Sequence, residues 1–478
     1  MAVINIKLAV DSDASEFAEF ADQGLVNCYA IPSSKDGARS SEIHFSSGLT
    51  QVADTGDNVC RGGIPIINDT STDDVAYFGF EGSIQKLTFD GSTFTATDIG
   101  IIPGRGKLQF ARNAAQPVQI GVINDAGRFY IIEDDEITLG PSSGLPTNWN
   151  SITFAGNQIV LGLNDGRMFA TNLLNMKAID GLSYATAEAA PDGLVAVAGL
   201  GQELFAIGRK TTEAWRANGA GTGFPFSPLG GAVAKVGCIA KYSIIEAAGT
   251  LYWVTNNGFV GRLTNYQVNP ISNRAVDLSI ANVDDPETIV GYTYSEAGQV
   301  FYGITHESFT WELNINTGFW HERRSYNKTR WQTHGIIEAF GKRLTGDNLT
   351  GKIWEIDRDA RTEGVDPLIV QIRTPALDPQ GQLATVDKIE IEAVTGRAKA
   401  SGTTTEIKPV IMLDWTDNGH APYSSERFLS LGSIGHRSLA MSTTRLGSIR
   451  QGKRRTFRIT CSDPVVSGFK GSMRAFVS

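Results

Sequence analysis

Ile159-Val-Leu-Gly-Leu163, Asn164-Asp-Gly166 and Arg167-Met-Phe-Ala170 form the stretch that decides the fold. Two short apolar runs flank a turn whose Asn, Asp and Gly tolerate the left-handed backbone that a tight hairpin demands. The unit also occurs as Val75-Ala-Tyr-Phe-Gly-Phe80 with Ile84-Gln-Lys-Leu87, and as Val118-Gln-Ile-Gly-Val-Ile123 with Arg128-Phe-Tyr-Ile131. Leu204-Phe-Ala-Ile207 pairs with Thr212-Glu-Ala-Trp215, Leu251-Tyr-Trp-Val254 with Phe259-Val-Gly-Arg262, and Val300-Phe-Tyr-Gly-Ile304 with Phe309-Thr-Trp-Glu-Leu313. A last copy lies around Leu344 with Lys352-Ile-Trp-Glu-Ile356. The anchors Val75, Val118, Ile159, Leu204, Leu251, Val300 and Leu344 step by about 41 to 49 residues, the spacing of propeller blades.

One hairpin cannot bury its apolar face alone, so the copies must stack, and radial stacking leaves few exposed strand edges. The repeat predicts an all-β chain with a β-propeller of six or seven blades, against the alternatives of a long meander or a stack of sandwiches. Helix-like spacing is confined to Ala14-Ser-Glu-Phe-Ala-Glu-Phe20 and to Asn175 through Asp180. The repeat ends near Asp357. Thr374-Pro-Ala-Leu-Asp-Pro379 reads as a linker, since its prolines oppose both helix and central strand. Alternating runs follow at Val386–Val394, Thr405–Leu413, Thr456–Cys461 and Met473–Val477, which fit a β-sandwich or small barrel. The expected organisation is an N-terminal arm with the first strands over 1–50, the propeller over 51–365 and a C-terminal β domain over 366–478.

The composition agrees. Apolar residues make up 41% and charged residues 19% of 478, enough for sizeable cores and too apolar for disorder. The net charge of −9 argues against a chain that wraps nucleic acid. That charge is uneven, with 15 Lys and Arg against 10 Asp and Glu over 366–478, and 27 against 41 over 1–365. Two differently charged bodies share the chain. Cys28, Cys60, Cys238 and Cys461 form no CxxC pair and are expected as reduced, mostly buried thiols. The first 25 residues lack a basic and apolar leader pattern, and no run reaches membrane-spanning length, so a soluble protein made in a cytoplasm is expected.

Motif letters that suggest chemistry lack its context. Gly346-Asp-Asn-Leu-Thr-Gly351-Lys352 starts like a phosphate loop, but Ile353 replaces the Ser or Thr that holds magnesium, and a strand follows where a helix is needed. Gly140-Pro-Ser142-Ser-Gly144 has the letters of a nucleophile elbow, yet Leu145-Pro146 follows and no helix can start there. His306-Glu307 and His321-Glu322 lack the second histidine of a zinc motif. His44, His306, His321, His334, His420 and His436 are scattered, fitting solvated or singly bonded imidazoles. The acid pairs Asp73-Asp74, Asp134-Asp135 and Asp284-Asp285 fit turns. Asp414-Trp-Thr-Asp417-Asn-Gly419 resembles a sialidase Asp box without its regular spacing, and a surface hairpin fits better. No catalytic, cofactor or metal residues are assigned. One basic run, with Arg445, Arg450, Lys453, Arg454, Arg455 and Arg458, is read as a docking surface for a protein partner rather than a phosphate grip.

Several segments together resemble the tail hub, or nozzle, proteins of short-tailed bacteriophages, also called packaged-DNA stabilisation proteins. They are Gly24-Leu-Val-Asn-Cys-Tyr-Ala-Ile-Pro32 with Gly48-Leu-Thr50, then Pro191-Asp-Gly-Leu-Val195 with Thr211-Thr-Glu-Ala-Trp215, Phe224-Pro-Phe226 and Gly237-Cys-Ile-Ala240. Leu344-Thr-Gly-Asp347 through Gly351-Lys-Ile-Trp-Glu-Ile-Asp357, Thr374-Pro-Ala-Leu377 and Trp415-Thr-Asp-Asn-Gly419 continue it, followed by Arg437, Arg445-Leu-Gly447, Phe457-Arg-Ile459 and Asp463-Pro-Val465. The family's Asp, Gly and Trp run after the hairpin turn is here Asn418-Gly-His-Ala-Pro-Tyr423. The resemblance implies a structural virion component, a homohexamer below the portal and its adaptor ring that closes the DNA channel until ejection. Tailspikes or fibres and a needle or plug would attach, and phage DNA would pass transiently. An acidic lumen would let DNA slide while basic patches dock neighbours. The rival readings are a glycan-binding or glycan-hydrolysing propeller, which needs convergent carboxylates near its axis, and a cellular scaffold propeller.

Overall fold

The structure is a computed structural model, and it describes residues 2–14, 22–32, 41–68, 70, 73–187, 190, 192–219, 223–397, 408–419, 422–437, 439–465 and 467–478. Seven antiparallel blades of four strands follow one another along the chain, five as separate sheets and two as parts of larger sheets. Blade one is Cys60–Ile66, Val75–Phe80, Ile84–Phe89 and Phe94–Asp98; blade two is Gln109–Arg112, Ile120–Ile123, Phe129–Glu133 and Glu136–Leu139. Blade three is Ser151–Ala155, Gln158–Gly162, Arg167–Asn172 and Asn175–Thr186; blade four is Leu194–Leu200, Glu203–Gly208, Thr212–Ala217 and Phe226–Ala234. Blade five is Ile245–Ala247, Thr250–Val254, Val260–Thr264 and Gln267–Pro270; blade six is Val290–Glu296, Gln299–His306, Phe309–Asn314 and Phe319–Glu322. Blade seven is Thr333–Ala339, Lys342–Asp347 and Lys352–Asp357, and its fourth strand, Gly48–Asp54, comes from near the start of the chain.

The hairpin repeat read in the sequence is the second and third strand of each blade. Six of the seven anchors fall in second strands, and Val118 lies two residues before one. In the turn of blade three, Gly166 has φ +97°, the left-handed conformation that only glycine adopts without strain. First and fourth strands carry weaker signals, because first strands border the axis and fourth strands border solvent. Asn175–Thr186 is such a fourth strand, so the helix expected over Asn175–Asp180 is corrected: Met176 points into the blade between exposed Asn175 and Lys177, the alternation of an edge strand. The other expected helix, 14–20, falls mostly outside the described residues. The α-helix of the described chain is Arg274–Ala281, between blades five and six, where Asn273 accepts the Val276 N–H as N-cap.

Apolar packing closes the ring. Each pair of neighbouring blades shares one buried cluster, among them Phe78, Phe80 and Leu87 of blade one with Ile337, Leu344 and Ile353 of blade seven. The junction of blades six and seven buries Tyr292, Tyr294, Phe301, Trp331 and Trp354 together with Tyr29 and Leu49. First strands of blades two to five line an axial channel of about 580 Å³.

A β-sandwich forms the second body. One of its sheets runs Cys28–Pro32, Ser41–Phe45, Gly468–Val477, Ala384–Ala393 and Met441–Thr444, with Ala2–Lys7 also paired to Gly468–Val477. The other runs Asp22–Val26, Val370–Arg373, Thr456–Cys461, Val410–Thr416 and Arg427–Ser430. Their inner faces share one core containing Leu25, Ile43, Ile389, Leu413, Phe457 and Met473. Strands expected as an N-terminal arm are therefore built into the sandwich with the last hundred residues. The segment Thr374–Pro379, read as an interdomain linker, instead connects two sandwich strands, and Leu377 bridges to Arg455. Its prolines exclude a paired central strand, but they do not exclude an extended crossing at a sheet edge.

Candidate functional site

Two constructions stand out from the ordinary packing: the seam between propeller and sandwich, and the mouth of the propeller axis. The seam begins with sheet continuity. Val26 pairs in parallel with Glu322, the last residue of blade six, while Gly24–Val26 pair with Gln371–Arg373 of the sandwich. A ten-stranded sheet therefore runs from blade six into the sandwich. Asn27 clasps the crossing in a left-handed conformation of φ 55°. Its amide nitrogen donates to the carbonyls of Arg324 and Ile369, both at 2.8 Å, and its amide oxygen accepts the Arg324 N–H at 3.0 Å.

Behind the clasp lies a buried ionic network. Glu312 and His321 face each other on the outer strands of blade six, and Arg323 stands two residues after His321, just past the strand end. Arg323 and Glu312 are 0% exposed, with a guanidinium nitrogen 3.7 Å from the carboxylate. The guanidinium lies 3.9 Å from the Trp331 ring centroid and donates to the Ser47 carbonyl at 3.0 Å. Tyr292 and Tyr294 donate to Glu312 Oε1 at 3.0 and 3.1 Å, and His321 Nε2 lies 2.8 Å from Oε2. Burial alone would push Glu312 up, but Arg323 and His321 outweigh it and hold the carboxyl below its ordinary range. Burial raises Tyr292 and Tyr294 well above ordinary phenols, so they stay protonated donors. Ser47 Oγ donates to Glu296, and Ser47 leads into the strand that completes blade seven. The network thus ties blade six to the strand that closes the ring. His321, read in the sequence as a solvated or singly bonded imidazole, is buried with one bond, to Glu312, and the tyrosines and Arg323 that share that carboxylate come from other segments that spacing along the chain does not reveal.

At the axis mouth, the segments leading into the first strands converge. Lys107, just before blade two, reaches across to donate to the Thr288 carbonyl before blade six. Lys241, before blade five, donates to Asn150 before blade three. Both ammonium groups sit over the Tyr242 ring, at 5.2 and 4.9 Å from its centroid. Arg61, 1% exposed, enters from blade one and donates to the carbonyls of Ile102 and Gly106, with Asp125 3.7 Å away. Burial, reinforced by the nearby Arg330, holds Lys107 down to about 8. Burial with Lys107 and Arg330 pushes the His334 imidazole down to about 3, so it is neutral at physiological pH.

The six basic residues read as one docking surface divide in the structure. Arg445, Arg450, Lys453 and Arg454 are exposed, and Arg454 pairs with Asp378 at 2.9 Å. Arg455 is corrected from surface to interior. It is 2% exposed, forks onto Asp417 at 2.7 and 2.8 Å and donates to the Leu446 carbonyl at 2.9 Å. Arg458 pairs with Asp414 and lies 3.8 Å from the Tyr423 ring centroid. Buried guanidinium groups need such partners. The Asp414–Gly419 segment that resembles an Asp box therefore supplies the two carboxylates that fix these arginines.

The other motifs are what their contexts suggested. Gly346–Lys352 spans a hairpin of blade seven, where Asp347 accepts the Leu349 and Thr350 N–H groups. His306 lies 3.1 Å from Asp285. Among the described residues no cluster of three or more His, Cys, Asp or Glu could hold a metal ion, and no helix is long and apolar enough to cross a membrane.

A family model described as bacteriophage P22 Gp10, beta-propeller, matches residues 4–361, and one described as bacteriophage P22 Gp10, beta-sandwich, matches residues 369–474. No curated protein matches the chain in sequence. Among solved structures, the chain is similar to the WD40 beta propeller domain of Doa1, at 11% identity over 64% of this chain and 97% of that one, with a TM-score of 0.39. It is also similar to YCF48 bound to D1 peptide, at 10% identity over 65% and 95% with a TM-score of 0.37. A third similarity is to the computationally designed Ika8 protein, at 14% identity over 68% and 96% with a TM-score of 0.37.

Proposed function

Because the chain belongs to the bacteriophage P22 Gp10 family of short-tailed phage tail hub proteins, we propose that it is a structural, non-enzymatic part of the virion tail, assembled as a six-fold ring below the portal and adaptor. In that position it closes the DNA channel and retains the packaged genome until ejection. Tailspikes or fibres and a plug or needle attach to it, and DNA passes through transiently.

The observation that carries this reading is the match of one family's two parts, in order, to the propeller and the sandwich. The seam supports it. A component that holds a pressurised genome has to pass load between its two bodies, and a shared sheet with a buried clasp does so without a flexible hinge. The exposed Arg445, Arg450, Lys453 and Arg454 suit docking to an acidic neighbour, where rim charges steer association more than they add affinity.

Electron microscopy of the protein mixed with its portal–adaptor assembly tests the reading. A six-fold ring seated on the adaptor is expected. A protein that leaves the adaptor bare, and instead cleaves or binds glycans in solution, would sink it.

A further inference from the structure

The axis mouth carries positive charge in a chain of net charge −9. A well of about 810 Å³ opens there, and Lys107, Lys241, Tyr242, Arg209, Asn164 and Asn256 are among its walls. Arg330 adds a third cation near Lys107, donating to the backbone carbonyls of Trp331 and Thr333 at 3.2 and 3.4 Å and to the Asn348 side-chain oxygen at 2.8 Å. Among the described residues, no carboxylate lies within ion-pair distance of Lys107, Lys241 or Arg330.

Glu307 and Asp285 attract Lys107, and Glu307 and Asp347 attract Arg330, without coming within ion-pair distance. Asp125 accepts the Gly106 N–H at 2.9 Å and faces Arg61, Asp285 holds His306, and Glu287 stands exposed on the rim. Partly buried cations without a carboxylate in direct contact gain from an anion that joins them. Lys107 spends one of its three N–H donors on Thr288, and two remain.

We propose that this mouth binds a small oxyanion of the phosphate or sulfate class, with Lys107 as its central ligand and Lys241 and Arg209 on the walls. Tyr242, lying between the well and the axial channel, forms the floor against which the anion rests. The downward displacement of Lys107, Lys241 and Arg330 by burial is independent support, since all three are cations that solvent hydrates poorly.

The test uses the full chain and sodium phosphate, with sodium chloride at matched ionic strength as the control for screening. Isothermal titration should show saturable binding of phosphate and none of chloride. At a phosphate concentration a hundredfold above the dissociation constant, the melting temperature should rise by about 2–3 °C. Lys107→Met and Lys241→Met should each weaken phosphate binding at least tenfold, while Lys107→Arg keeps most of it. Arg450→Met, on the distant basic run, should leave it unchanged. The absence of saturable phosphate binding by the wild-type chain overturns the proposal, as does equal affinity in the Lys241→Met variant. The wild-type titration decides even where Lys107→Met fails to fold.

Discussion

Replacing Arg323 with Met is the sharpest test of the seam. Methionine keeps an apolar stem against Trp331, so the variant removes charge and hydrogen bonds with little change in volume. At an effective dielectric near 20, unit charges separated by 3.7 Å attract by about 4–5 kcal/mol. The pair is fully desolvated, and breaking one side of such a pair costs about 3–5 kcal/mol because the other charge stays buried. Within that loss, the Ser47 carbonyl also loses its donor.

A loss of about 4 kcal/mol is therefore expected from urea unfolding followed by tryptophan fluorescence and circular dichroism. The two probes should report one transition in the wild type, because propeller and sandwich share a sheet. Glu312→Gln should lose a similar amount, with Arg323 now the orphan. In the double variant no charge is orphaned, so its loss should fall at least about 2 kcal/mol short of the sum. Single losses below about 1 kcal/mol, or losses that simply add, would show that the network is not the clasp described.

Four further outcomes follow from the same geometry. A Cβ at Gly48 would lie 2.3 Å from the Thr362 carbonyl oxygen, so Gly48→Ala should lose about 1–3 kcal/mol or more in urea melts and expose the closing strand to trypsin. His334 is held neutral in the fold, with its pKa depressed to about 3. Its contribution is thus full above pH 6.5 and is lost as pH falls from 6.5 toward 3, by at most about 1.4 kcal/mol per pH unit. The stability gap between wild type and His334→Gln should narrow accordingly in urea midpoints measured from pH 6.5 to 4.5. All four cysteines are buried, and burial pushes Cys60, Cys238 and Cys461 up to about 12 and Cys28 higher, so Ellman's reagent should titrate none in the native chain and four in guanidinium. Residues 366–478 expressed alone should show no cooperative melt, since they lack the partners of Gly468–Val477 and Val370–Arg373 that come from before residue 46.

What could be read from the chain was local. The second and third strands of each blade announced themselves because both are buried and the turn between them is chemically distinctive, as at Asn164-Asp-Gly166. The closing strand Gly48–Asp54 has no such signal, because its partner Lys352–Asp357 lies three hundred residues away. Arg455 and Arg458 looked like surface charge for the same reason. Their carboxylates, Asp417 and Asp414, stand about forty residues earlier, Asp414 on the strand paired with that of Arg458 and Asp417 just past its end, beside Arg455. The order of charges along a chain shows where basic residues cluster, but exposure is decided by which acids the fold returns to them. Of the six basic residues read as one surface, four remain in solvent, while Lys107, Lys241 and Arg330, scattered over more than two hundred residues, gather at the axis because each precedes the first strand of a different blade.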